Sequence, residues 1–285
     1  MTYWDGSKKT VIPRASSELQ SLLASPEYNI IPLKPGPSRK LTLEQEFLLT
    51  MMRLRLGLLT EDLAFRFQVS AGKVSQTLIT WIKLLSKELS CLVVWPSKAR
   101  VKSTLPDCFK KLYPIVRTII DCTEVFMETP SSLEIQALLW SDYKHHHTVK
   151  LLIAVSPNGA TTWISPLFGG RTSDIHMVRH SGFLNMLQPR DQVMADRGFK
   201  IKTDLALYQC SLCIPPSAAK GNQLTANAVK ETCNVANVRI YVEQAIGRIK
   251  NYRILKTSNS LLYLPLMNDI VTICGALVNL RDPLA

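Results

Sequence analysis

Two apolar, β-branched runs in this chain each lead into an aspartate. TIIDCTEVF reaches Asp121 through Val116, Ile119 and Ile120, and QVMADRGF reaches Asp196 through Val193, Met194 and Ala195. Such runs favour buried strands. A third acid, Glu243 in VRIYVEQAIGRIK, lies inside a helical repeat in which Val238, Val242, Ala245, Ile246 and Ile249 form one stripe. The order is therefore strand-Asp, strand-Asp, helix-Glu, and it points to an α/β fold. Oxygen ligands of this kind suit hard divalent cations, and a pair of ions roughly 4 Å apart can hold both the attacking and the leaving oxygen of a phosphoryl displacement. That is nuclease or DNA-transfer chemistry.

Each acid also has a plainer reading. An aspartate at a strand end is costly to bury unpaired, and taken alone Asp121 would more often be a turn residue. Asp196 with Arg197 and Gly198 would make a surface turn. Glu243 would form an i,i+4 ion pair with Arg239, worth a few tenths of a kcal/mol. Yet the same helix carries Arg239, Arg248, Lys250 and Arg253, and Gly247 leaves room for a backbone to approach. Asp142 and Asp174 compete as ligands, with Asp174 better explained by a helix start. His145, His146 and His147 cannot all reach one ion, because successive strand residues face opposite sides. Lys144 and Arg171 are candidate phosphate contacts.

The chain of 285 residues, 46% apolar, can bury one large domain and one small one. Its net charge of +12 favours a polyanionic partner. Eighteen of the 34 Lys and Arg but only nine of the 22 Asp and Glu precede residue 121, so the basic excess is concentrated in the first part. Seven scattered cysteines make no disulfide framework, and the single CxxC of Cys210 and Cys213 lacks a second pair for zinc. MTYWDGSKK has no apolar signal core, and IVTICGALVNL reads as a buried helix too short for a bilayer. No membrane association is expected.

Along the chain, residues 1–40 form a polar, proline-punctuated arm. Residues 41–92 are helical. Thr42 and Gln45 make a capping box before a helix that runs to Gly57; Thr60 opens TEDLAFRF; Ser70 caps a third helix with the stripe Val74, Leu78, Trp81, Ile82 and Leu85. This is helix-turn-helix order, and Lys73, Gln76 and Thr77 are placed to meet base edges. A plain three-helix packing module gives the same pattern. Residues 93–114 read as a linker around an amphipathic stretch at Phe109 to Tyr113. Strands are expected at Val116 to Phe126, Glu134 to Trp140, Lys150 to Ser156, Thr161 to Phe168 and Gln192 to Ala195. Pro157-Asn158-Gly159 marks a hairpin. Helices are expected at Ser173 to Leu187, Thr203 to Gln209 and from Ala226 onward.

DCTEVF, SDYKHHHTVKLLIAVSPNGATTWISPLFGGRTSDIHM, ADRGF and NVRIYVEQAIGRIKNYRIL, in that order, resemble the catalytic domain of DDE superfamily endonucleases of the PIF/Harbinger-like transposase group. The resemblance runs from about Ile115 to about Leu280, with the helix-turn-helix ahead of it. It implies an RNase H-like domain over residues 115–285, a mixed sheet flanked by helices, behind a small all-α domain. It also implies Asp121, Asp196 and Glu243 as catalytic metal ligands, Mg²⁺ or Mn²⁺ as cofactor and double-stranded DNA as partner, with Arg239, Arg248 and Lys250 near the phosphates. Such an enzyme would reside in the nucleus, act as a homo-oligomer, and rely on a separate DNA-binding protein or on an upstream zinc finger of which this chain shows no pattern. The alternatives are a domesticated, catalytically silent DNA-binding protein and an enzyme acting on RNA or hybrids.

Overall fold

The helices at the amino-terminal end begin where their caps require. In the computed structural model, which describes residues 39–214, 240–282 and 284, Thr42 accepts from the Gln45 amide at 3.2 Å while the Gln45 side chain accepts from the Thr42 amide at 2.9 Å. Together these bonds start α1 (Leu43–Leu56) by satisfying two amides that have no partner inside the helix. Gly57, with φ of +70°, ends it. Helix α2 (Thr60–Phe67) stops at Gln68, whose left-handed backbone turns the chain, and Ser70 caps α3 (Ala71–Leu89) by accepting from the Lys73 amide. Leu49, Leu54, Leu63, Val74, Leu78 and Ile82 fill the space between the three helices, none more than 1% exposed. The arm expected over residues 1–40 lies outside the described residues, apart from its last two.

These helices share their core with the rest of the chain. Leu41–Ala285 forms a single compact unit, and one apolar cluster runs from Leu49 and Leu78 through Ile119, Ile153 and Met194 to Ile270. The stretch read as a linker contributes to it, since α4 (Lys98–Ser103) and α5 (Asp107–Leu112) bury Val101 and Phe109. A phenylalanine sealed this way contributes about 2 to 3 kcal/mol.

The sheet is built on β1 (Val116–Phe126). Antiparallel to it lies β3 (His146–Val155), with Asp121 opposite Ile153. On the other side lies β6 (Gln192–Met194), parallel, and beyond it β7 (Ser211–Cys213), also parallel. Three short strands pair with β3: β2 (Trp140–Ser141), β4 (Thr161–Ile164) and β5 (Phe168–Gly169). The β3–β4 hairpin turns at Asn158 and Gly159 as expected, with Gly159 at φ of +88°. The mixed sheet, flanked by helices and preceded by a helical region, is the α/β, RNase H-like arrangement that the resemblance implies.

Two expected elements differ. The strand anticipated at Glu134 to Trp140 is α6 (Leu133–Leu139), and only Trp140 and the next residue join the sheet. LEIQALL is made of good helix formers, and only Leu139 of the helix is buried, so no second face holds it in a sheet. The helix anticipated over Ser173 to Leu187 is α7 (Asp174–His180), then Gly182 at φ of +83° and a 3-10 turn at Phe183–Met186. A left-handed glycine breaks a helix whatever the apolar pattern beyond it. Helix α8 (Lys202–Leu207) follows β6 and leads to β7. The helix anticipated from Ala226 onward is described only over residues 240–250, here α9.

The last helix, α10 (Met267–Asn279), is preceded by the 3-10 segment Leu261–Leu266, so the apolar run spans 19 residues, longer than IVTICGALVNL alone. By length and composition it would reach across a membrane. Its apolar side is instead occupied in the core, with Ile270, Ile273 and Cys274 sealed from solvent. Ser86 of α3 donates to Asp269 at its start, at 2.7 Å.

Candidate active site

The register between parallel strands aligns the first two acids. Ile119 of β1 pairs with Met194 of β6, and Asp121 and Asp196 each follow by two residues. Asp121 is inside β1, whereas Asp196 lies two residues past the end of β6, so both follow the last paired position of these neighbouring strands. Each carboxylate accepts the amide of the residue after it, Asp121 from Cys122 at 2.8 Å and Asp196 from Arg197 at 2.7 Å. Asp121 is half-buried and Asp196 exposed.

Alternation along β1 decides which side they face. Ile119, Ile153 and Met194 belong to the core that receives Val242, Ala245, Ile246 and Ile249 of α9, whereas Ile120, Leu152, Val193 and Ala195 belong to a second core beneath Met177 and Val178 of α7. Asp121 has the parity of Ile119, so it is on the α9 side. Glu243 lies on α9, exposed at the edge of the buried stripe. At Gly247, one turn further on, a Cβ would meet nothing within 4 Å, so the helix surface beside the acid is open. The sheet side with Asp121 and the helix with the glutamate thus share one core. Even so, no group of three or more His, Cys, Asp or Glu side chains among the described residues is gathered closely enough to hold a metal ion.

Lys250 connects α9 to β1 electrostatically. Burial pulls its pKa below the usual lysine value, and Lys144 adds to the drop, while Glu124 and Asp121 oppose it. Arg248 donates to the Asp282 carbonyl at 2.5 Å. Arg239 lies outside the described residues.

The other side of β1 holds a polar set that sequence reasoning missed. Glu124 is 6% exposed and accepts from the Thr148 hydroxyl at 2.7 Å; beside it on β3, Lys150 pairs with Asp174 at 2.6 Å. Burial works against the charge on Lys150, yet Asp174 outweighs it and raises the pKa. Cys122 faces the same cluster, and burial first, then Asp174, drives its thiol strongly up, so it stays protonated. The signal was present in DCTEVF: residues 122 and 124 alternate with Asp121, and a buried acid needs partners. The N-cap expected of Asp174 is instead Ser173, which accepts from the His176 amide; Asp174 is the first residue of α7 and makes the ion pair.

In the helical region, Gln76 is exposed as expected. Thr77 is not: it is 3% exposed, because it falls three residues after Val74 and joins the buried stripe, which removes it as a base contact. Lys73 pairs with buried Glu46 at 3.3 Å, so its ammonium is tied to α1. The face open to solvent is Gly72, Ser75, Gln76, Ile79, Thr80 and Lys83.

His146 meets Phe126 edge-on at 5.5 Å and His147 meets Trp140 at 5.3 Å, while His145 precedes the strand with φ of +52°. The three histidines are thus dispersed. Asp142 and Arg171 line a cleft of about 460 Å³ with Trp140 and His147.

The family model described as DDE superfamily endonuclease matches residues 120–279, more than half of the chain, a range within which the three acids fall. The chain belongs to the DDE superfamily endonucleases. A second model, the helix-turn-helix of DDE superfamily endonuclease, matches residues 39–91, so this member of the superfamily carries that motif ahead of its catalytic fold. Among curated proteins there is no match. Among solved structures, the Mos1 transposase paired-end complex with left transposon end is similar over 88% of this chain and 90% of that chain, at 10% identity and a TM-score of 0.25. That likeness is too distant to carry any argument about the site.

Proposed function

We propose that this DDE superfamily endonuclease is a divalent-metal-dependent DNA endonuclease and transposase of the PIF/Harbinger-like group. The observation that supports it best is that Asp121 and Asp196 each follow by two residues the paired positions Ile119 and Met194 of parallel strands, whose side chains share a core with the helix of Glu243. One carboxylate within β1, one just past β6 and one acid on a packed helix are oxygen donors of the kind that suits Mg²⁺ or Mn²⁺, and Asp121, Asp196 and Glu243 would hold the ions. When bound, such ions supply a nucleophilic water at neutral pH and offset the charge of the transferring phosphoryl group. The protein's own groups orient the substrate. Lys250, in the field of Asp121, offers a cation to a phosphate oxygen. The open surface at Gly247 admits a sugar-phosphate backbone. The exposed face of α3 around Gln76 reads duplex DNA, so a strand cut at a transposon end leaves a 3′-hydroxyl to attack the target.

The test is nicking of duplex DNA in Mg²⁺ or Mn²⁺ by the wild type and by Asp121→Ala, Asp196→Ala and Glu243→Gln. Loss of cutting in all three, with binding kept, supports the assignment; cutting that survives all three overturns it. Parallel assays on RNA and on hybrid duplexes separate a DNA enzyme from one acting on RNA.

A catalytically silent, domesticated DNA-binding protein is the second reading. It is favoured by one observation, that the described acids make no three-membered ligand group. Salt-dependent duplex binding without cutting at any metal concentration would select it. In either case the protein works in the nucleus, as a homo-oligomer or beside a DNA-binding partner.

A further inference from the structure

At the amino ends of β1 and β6, away from the paired aspartates, a cleft of about 300 Å³ lies between α4 and the sheet. Four cations line it, Lys98, Lys102, Arg117 and Arg190, against one carboxylate, Asp191. Asp191 is 2% exposed and already well served: it accepts from the Gln188 amide at 2.8 Å, pairs with Lys98 at 3.1 Å and lies 3.7 Å from Nε of Arg117. Arg117 is the unusual member. It is 5% exposed, its Nη2 donates to the Pro96 carbonyl, and its guanidinium stacks on Trp95 with 5.4 Å to the ring centroid. Its Nη1 is buried and has no hydrogen-bond partner.

A buried guanidinium N–H without an acceptor costs on the order of 1 to 3 kcal/mol, and three exposed cations beside a single carboxylate leave a net positive field over the cleft. Both features suit the same kind of ligand, a small oxyanion with several acceptor oxygens. The planar fork of arginine matches phosphate geometry, and lysines add point charges around it. The volume is ample for one phosphate group.

We propose that this cleft is a phosphate-binding site, in which Nη1 of Arg117 donates to a phosphate oxygen while Lys98, Lys102 and Arg190 surround it. Arg117 lies four residues before Asp121, about 13 Å along the strand. A phosphate held there is a second point of attachment, separate from the acids.

The experiment uses the full chain and two probes, inorganic phosphate and a duplex of arbitrary sequence. Phosphate is titrated while Trp95 fluorescence is followed, with Trp95→Phe as the blank. Duplex affinity is measured against salt concentration for the wild type and for Lys102→Ala combined with Arg190→Ala, two exposed positions whose loss spares the core. The expected result is a saturable Trp95 response that weakens in the double variant, and a salt dependence shallower by about 1 to 2 in log–log slope, as for one or two lost phosphate contacts. A Trp95 response with an unchanged slope assigns the site to free phosphate rather than to DNA. A changed slope without a Trp95 response means that surface cations act without Arg117, and overturns the site. No change in either overturns it as well. None of these readouts needs cutting or a divalent ion, so the outcome is independent of the nuclease assignment.

Discussion

Trp81 of α3 donates its indole N–H to the buried carboxylate of Glu46 on α1, at 3.1 Å. Lys73 meets the other oxygen at 3.3 Å, so one acid joins the start and the middle of the third helix to the first.

Glu46→Ala leaves Lys73 and the Trp81 indole without this acceptor. The expected loss is about 2 to 3 kcal/mol, read as a lower urea midpoint with an unchanged slope. Glu46→Gln, which keeps an acceptor for Trp81, should lose about half as much. Equal losses for both would show that packing, not the shared carboxylate, sets the cost.

Gly57 ends α1 with φ of +70°, and a Cβ there would lie 3.2 Å from Cβ of Arg253. Gly57→Ala should therefore cost about 1 to 3 kcal/mol, from left-handed strain and crowding together. Because the helical region shares one core with the sheet, the loss should appear in a single cooperative transition, seen alike by circular dichroism and by fluorescence. Two separated transitions would contradict the common core.

The Lys150–Asp174 pair carries a pH signature. Lys150 has its pKa raised above the usual 10.5 in the fold, despite the opposing effect of burial. A raised lysine contributes stability that is fully present below the unfolded value and is lost as pH climbs through the folded one. The melting temperature should hold from pH 8 to about 10 and fall above pH 10.5 as this ammonium is lost. In Asp174→Asn, where burial acts on Lys150 with its main partner gone, this fall should flatten or reverse. A wild-type and variant profile of the same shape would remove the pair from the account.

Asp121→Ala and Asp196→Ala should each lower metal-dependent nicking by more than about 100-fold, while duplex affinity stays within a few-fold of wild type. Gln76→Ala should do the converse, weakening sequence preference with little effect on the cutting step. Thr77→Val, at a buried position, should leave DNA binding unchanged and alter only stability. Measurements of affinity and single-turnover nicking on the same preparations separate these effects.

Much of this was written locally in the sequence. The Thr42–Gln45 box, Ser70, and the alternation through Ile119 to Asp121 depend on neighbours close in the chain, and such signals survive folding unchanged. What could not be read were relations between distant segments. LEIQALL is apolar enough to pass for a buried strand, but its residues are good helix formers and only Leu139 of the helix finds a place in the core. Thr77 looks polar and outward until the width of the buried stripe is known. Arg117 and Asp191 are 74 residues apart in sequence, and nothing near either one announces that they share a buried cleft. For Asp121 and Asp196 the strand runs ahead of them were legible, but that those runs are parallel neighbours rests on the pairing of β1 with β6.

The end of α1 is held against the segment that follows α9. Arg55 donates to the Asn251 carbonyl at 3.0 Å and stacks over Tyr252, while Arg53 lies over Tyr263. No flexible tether separates the helix-turn-helix from the helix that bears Glu243. In a DNA-cutting member of the superfamily, the offset between the bases gripped and the bond broken would then be a fixed length, set like the span of a caliper, and lengthening the chain near residue 57 would displace the cut rather than merely loosen the hold.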